Sequence, residues 1–122
     1  MIASVNEMIE KYVSAWNGKE LEEFKAEFAK VWTEDATYTD PNFPLVEGLN
    51  GLSELAYSSL EHAPVRTFSI LTTPDYHHNV GRYTWQVELP NETKEGFDYF
   101  EYNEEYKITR LVSFFGQLKP VE

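Results

Sequence analysis

The stretch GFDYFEYNEEYKITRLVSFFG, residues 96–116, carries most of the information about how this chain folds. It reads as two strands joined at a turn, Asn103–Glu105, and strand side chains alternate between faces. Asp98 then shares a face with Phe100 and Tyr102, while Phe97, Tyr99 and Glu101 take the other. A carboxylate grouped with two aromatics sits either at a wet surface or in a pocket that needs it. Acids are rarely buried without purpose, so the pocket is the stronger expectation. Working outward, the β pattern extends back to Val65, with strands predicted near 66–78, 81–89, 95–103 and 106–118. Turns are expected at Asn79–Gly81 and Pro90–Lys94 as well.

Ahead of Val65 the periodicity is helical. Ser4 followed by Glu7 forms a capping box, and Val5, Met8, Ile9, Tyr12 and Trp16 fall on one helical face. Asn17-Gly18 ends that helix. KELEEFKAEFAKVW, 19–32, predicts a second helix with Leu21, Phe24, Phe28 and Val31 or Trp32 as its stripe. ATYTDPN, 36–42, reads as a short strand ended by Asp40-Pro41, because the residue before proline is pushed to extended geometry. FPLVEGLN reads as a loop, with Asn50 capping a third helix that Pro64 ends. Three helices followed by a long antiparallel sheet make an α+β domain with helices on one face. The 122 residues are expected to form a single domain, 1–122.

Net charge is −11, from 21 acids against 10 bases. Such a surface repels phosphate backbones and anionic membranes, so neither nucleic acid nor membrane is an expected partner. No apolar run reaches membrane-spanning length, and Glu7 and Glu10 interrupt what a signal peptide would need. A cytoplasmic location is expected. With no cysteine there is no thiolate nucleophile and no zinc–sulfur site. The aromatic share of 16% is high enough that rings can line a cavity as well as fill a core. His77 and His78 are adjacent on a predicted strand and should point to opposite faces, so they are not expected to hold one metal ion together. No metal and no cofactor is expected.

The element order, with YVSAWN at 12–17, TEDATYTDP at 33–41, VEGLNGLSEL at 46–55 and the 96–116 stretch, resembles the NTF2-like superfamily and its SnoaL-like domains. The resemblance runs from about Val5 to Gly116. It implies a cone: three N-terminal helices packed against a curved antiparallel sheet enclosing an apolar pocket.

Within that superfamily the polar residues are most similar to those of ketosteroid isomerases. The resemblance implies Tyr12 as an oxyanion-hole tyrosine, Asp40 as general base and Asp98 as a second, protonated oxyanion donor. That chemistry is a known worked case of carboxyl pKa tuning. Trp32 stands at a position that supports the tyrosine network, and Tyr57 lies one residue off another, with Ala56 in register. Compared with the arginine-centred pocket of limonene-epoxide hydrolases, Arg82 matches the arginine, but Thr84 and Ser113 stand at the acid positions. The expected ligand-binding set is Trp32, Tyr57, His78, Arg82, Trp85, Phe100 and Phe114, around a small apolar molecule.

Each of these residues has a plainer reading. Tyr12 lies on a core stripe, and an aspartate before proline often closes a turn. Two classes therefore stay open: a proton-transferring enzyme of isomerase or cyclase type, and a non-catalytic ligand-binding or dimerisation module. Both faces of the strands at 66–78, 81–89 and 106–118 carry apolar residues, Phe114 beside Phe115 and Val112 beside Leu111 among them. One face packs on helices and the other needs cover, so a homodimer through the outer sheet face is expected.

Overall fold

The computed structural model describes residues 2–121. The elements run α1 (Val5–Ala15), α2 (Leu21–Ala29), β1 (Trp32–Asp40), β2 (Phe43–Glu47), α3 (Gly48–Ser59), β3 (Thr67–Ile70), β4 (Asp75–His77), β5 (Val80–Glu88), β6 (Thr93–Tyr102) and β7 (Ile108–Phe115). The strands form one curved mixed sheet in the order β2-β1-β7-β6-β5-β3, with β4 paired to β5. Its neighbours are antiparallel except β1 and β7, which run parallel. The sheet is open, and the three helices fill its concave side.

The alternation expected at 96–103 holds as far as Phe100: Gly96, Asp98 and Phe100 are buried while the residues between them are partly covered, and it ends at Glu101 and Tyr102, where the pairing with β7 shifts register. Its neighbour β5 buries Gly81, Tyr83, Trp85 and Val87 against the helices. In α1, the Ser4 hydroxyl accepts the Glu7 N–H, and the Glu7 carboxylate accepts the Ala3 N–H, a reciprocal cap. That fixes the helix so that Met8, Ile9 and Tyr12 enter the core with Phe24 and Phe28 of α2. Gly96 is required where it stands. A Cβ there would lie 2.6 Å from the Phe114 carbonyl oxygen and run into the Trp85 indole.

Several boundaries differ from the sequence reading. Trp32 opens β1 and does not close the second helical stripe. The predicted loop after Asn42 is an edge strand, β2; almost all of it is exposed and it contains Pro44, so it carries no alternation to read. The third helix begins at Gly48 (φ 76°), with Glu47 rather than Asn50 at its cap. The strand expected over 66–78 is two short ones. Between them the Thr72 hydroxyl takes the Thr84 N–H, where a continuous strand would present a carbonyl, and Pro74 has no N–H to give. No helix among the described residues is long and apolar enough to cross a membrane.

Candidate functional site

Between helices and sheet lies a cavity of about 890 Å³, well within the range of small-molecule pockets. Tyr12 and Val13 of α1, with Trp16 at its C-terminal cap, form one wall, Tyr38 and Asp40 of β1 another, and Trp85, Val87, Asp98 and Ser113 a third. Phe68 and Arg66 line it on the β3 side, level with Lys94 across the sheet, and exposed residues such as Phe43, His62 and Lys94 form the rim.

Asp98 is the buried acid of this cavity, only 4% exposed. Strand register explains its surroundings: its Cα partners are Tyr83 on β5 and Ser113 on β7. The Tyr83 hydroxyl donates to Oδ2, and Trp85 Nε1 donates to Oδ1 at 2.8 Å. Burial pushes the Asp98 carboxyl up to about 6 from its ordinary 3.8, while donation from Ser113, Tyr83 and Trp85 holds the rise in check; the charge of Asp40 adds a smaller upward push. A group near 6 exchanges its proton readily at neutral pH.

Asp40 ends β1, half-buried. Its Oδ1 accepts the Asn42 N–H at 2.8 Å and the Phe43 N–H at 2.9 Å, closing the turn into β2. Its Oδ2 accepts from the Tyr38 hydroxyl at 2.8 Å. Both the turn-forming reading and the pocket reading of this residue therefore describe what is there.

Burial raises Tyr12 well above the ordinary tyrosine range; the negative charge of Asp98 pushes the same way and Trp16 opposes it. Tyr38 is raised by burial and then by its neighbours Tyr12 and Asp40. Tyr83 is raised by burial and then by Asp98. All three stay neutral hydroxyl donors at physiological pH.

The cavity brings together Tyr12, Asp40, Asp98 and Trp85 of the expected set. It does not include the other six. Trp32 lies behind Tyr12, stacked on its ring at 5.8 Å, because it belongs to the inner face of β1 below the pocket floor. Phe100 is fully buried two residues beyond Asp98, packed on Tyr83 and Tyr102. Tyr57 is on the solvent side of α3, with its neighbour Ala56 inward. Arg82 faces outward on β5 and pairs with Asp75 at 3.1 Å. Phe114 points away from the pocket because Ser113 points in, and its ring packs on Phe97 at 5.2 Å.

His78 lies at the exposed turn after β4. Its positive φ of 49° breaks the alternation assumed for the histidine pair. The two Nδ1 atoms lie 3.0 Å apart, one donating to the other, so the opposite-face argument does not hold. No group of three or more potential metal ligands occurs among the described residues.

Sequence reasoning missed Tyr83, Tyr38, Trp16, Phe68 and Arg66, and gave Ser113 only as standing at an acid position of the epoxide-hydrolase pocket, not as a partner of Asp98. Tyr83 and Ser113 become visible only once the register across β5, β6 and β7 is known, since each is the cross-strand partner of Asp98. Arg66 gave no pattern signal at all.

No protein-family model and no curated protein sequence matches the chain. Solved structures do. A SnoaL-like-family protein from Agrobacterium tumefaciens, described provisionally as an isomerase, is 27% identical with a TM-score of 0.81, covering 90% of this chain and 95% of its own. A provisionally described ketosteroid isomerase from Kribbella flavida is 17% identical with a TM-score of 0.71, covering 97% and 82%. A protein of ketosteroid-isomerase-like fold from Catenulispora acidiphila, solved with trimethylamine, is 12% identical with a TM-score of 0.74, covering 93% and 88%. The fold is the NTF2-like cone, and its structural neighbours are SnoaL-like, ketosteroid-isomerase-like and NTF2-like proteins.

Proposed function

We propose, on the premise of this NTF2-like fold, that the chain is a small-molecule pocket enzyme moving a proton on an apolar carbonyl compound. The observation that carries the reading is the buried Asp98 with its carboxyl near 6, in a cavity walled mainly by aromatic and aliphatic side chains. Asp98 takes a proton from the carbon beside the carbonyl. The electron pair of that C–H bond becomes the enolate C=C bond as the carbonyl π pair moves to oxygen, where the neutral Tyr12 hydroxyl donates to the developing charge. Returning the proton to a different carbon of the conjugated enolate completes an isomerisation; attack of the carbanion on a second carbonyl of the same molecule closes a ring, the π pair of that carbonyl moving to its oxygen, which takes the proton back from Asp98.

This reading exchanges the roles that the resemblance implies for the two acids. Three donors already converge on the Asp98 carboxylate, which favours its ionised form and leaves it poorly suited to donate a hydrogen bond. Asp40 spends its oxygens on the turn and on Tyr38, which supports a role in shaping the mouth and adding negative charge.

The test is deuterium exchange into a panel of apolar ketones, comparing wild type with Asp98→Asn and Asp40→Asn. Exchange is expected to fall at least about a hundredfold in Asp98→Asn, the low end of general-base contributions, and by much less in Asp40→Asn. The reverse order restores the resemblance's assignment. A wild type no faster than either variant leaves a ligand-binding module in place of the enzyme.

The assembly we infer is a homodimer through the outer sheet face. Phe97 and Phe114, paired there, and the half-exposed Phe114 ring in particular, support it.

A further inference from the structure

Arg66 stands just before β3, where Asn17 pins the strand to the end of α1: its side chain donates to the Phe68 carbonyl at 3.1 Å and accepts the Phe68 N–H at 2.7 Å. The arginine is only 7% exposed, yet it lines the cavity. Among the described residues no carboxylate lies within ion-pair distance of it. One Nη donates to the Ser59 hydroxyl at 2.5 Å, and the other to the Trp16 carbonyl at 3.0 Å and the Ala56 carbonyl at 3.4 Å. The guanidinium also lies over the Phe68 ring, 5.3 Å from its centre.

Those carbonyls belong to the C-terminal ends of α1 and α3, whose partial negative charge explains why a cation settles there. They do not use it up. A guanidinium carries five N–H donors, and Nε is buried with no acceptor. A buried charge without a counter-ion is costly unless something brings one. Burial lowers the arginine, but a guanidinium remains a cation at any physiological pH.

The cavity thus has two unlike ends. Asp98 and Asp40, whose charges both act on Tyr12, mark one; Arg66 marks the other, since its neighbour Thr67 is level with Thr93, five residues along β6 from Asp98 or roughly 16 Å. Along α1, Tyr12 and Trp16 are about one helical turn apart, roughly 6 Å of axis, and the Trp16 carbonyl is what holds the Arg66 side chain. The rest of the lining includes the aliphatic Val13, Leu55 and Val87.

We propose that Arg66 is the seat of an anionic group, so that the ligands of this pocket are apolar carbonyl compounds carrying a carboxylate at the end remote from the reacting carbon. This deepens the proton-transfer reading and takes its substrate class from it. The carboxylate supplies the missing counter-charge to Arg66. It also fixes which way round the molecule lies, keeping its negative end away from Asp98 and its carbonyl beside Tyr12.

The probes are a naphthyl keto acid and its methyl ester, titrated into the whole chain and followed by tryptophan fluorescence, since Trp16 and Trp85 line the cavity. Wild type should bind the acid at least about tenfold more tightly than the ester, as a charge-assisted hydrogen bond to a buried cation implies. Arg66→Met should erase that preference and leave ester affinity nearly unchanged. Because Arg66→Met also removes bonds to two helix ends, Arg66→Lys is measured beside it; keeping the charge, it should retain part of the preference. A wild type that binds acid and ester equally overturns the proposal, as does Arg66→Met weakening both ligands alike. Binding is read independently of turnover. Acid preference without deuterium exchange refutes the enzyme reading and leaves the Arg66 seat standing, whereas exchange without acid preference does the opposite.

Discussion

Replacing Asp98 with Asn tests the electrostatics on which the site rests. In the folded chain this carboxyl holds its proton up to about pH 6, against an ordinary 3.8, chiefly because it is buried. Between those values the native state binds more protons than the unfolded state, so raising the pH costs stability. The group's favourable contribution is complete below the unfolded value and is lost as pH climbs through the folded one. At about 1.36 kcal/mol per pK unit the whole interval corresponds to about 3 kcal/mol. About 2 kcal/mol of that falls between roughly pH 4 and 7. Asn does not titrate. It can still accept from Trp85 through its carbonyl, while its amide turns toward Tyr83, so a constant offset between the proteins is expected and only the slope is diagnostic.

Urea or thermal unfolding of both proteins across this range gives the difference, in which the titration of acids that do not interact with Asp98 cancels. Wild type should lose about 2 kcal/mol relative to Asp98→Asn as pH rises from about 4 to about 7, roughly 5–10 °C in Tm for a chain of this size. A flat difference would show that Asp98 is not desolvated in the folded state. A slope of opposite sign would mean that the donors from Tyr83, Trp85 and Ser113 outweigh burial, and proton transfer near neutral pH would lose its basis.

Gly96→Ala should destabilise the fold by about 2–3 kcal/mol and shift the Trp85 fluorescence, because the new methyl displaces the indole that donates to Asp98; a change within about 0.5 kcal/mol would show that the strand can yield there. On the outer face, wild type should run as a dimer by light scattering at micromolar concentration and Phe114→Asp as a monomer, and a monomeric wild type ends the homodimer reading.

Much of this fold was legible in the chain because local physics decides it. The Ser4–Glu7 cap, the stripe through Met8, Ile9 and Tyr12, and the alternation around Asp98 each depend on residues a few positions apart, and each is present as expected. Strand parity groups Asp98 with Phe100, and the rarity of acids buried without purpose points that face toward a pocket. What tertiary structure decided is whatever depends on register or on the partner across a gap. β2 could not be seen because an exposed edge strand has no buried face to leave a pattern. Ser113 and Tyr83 joined Asp98 only through pairing across three strands, and the same pairing turned Phe114 and Arg82 outward. Tyr57 went to solvent and Ala56 inward because helix α3 settled its own rotation against α2 and β1. Arg66 is the extreme case: its burial comes from two helix ends and a strand meeting around it, residues some ten to fifty positions away in sequence, and no local pattern encodes such a meeting.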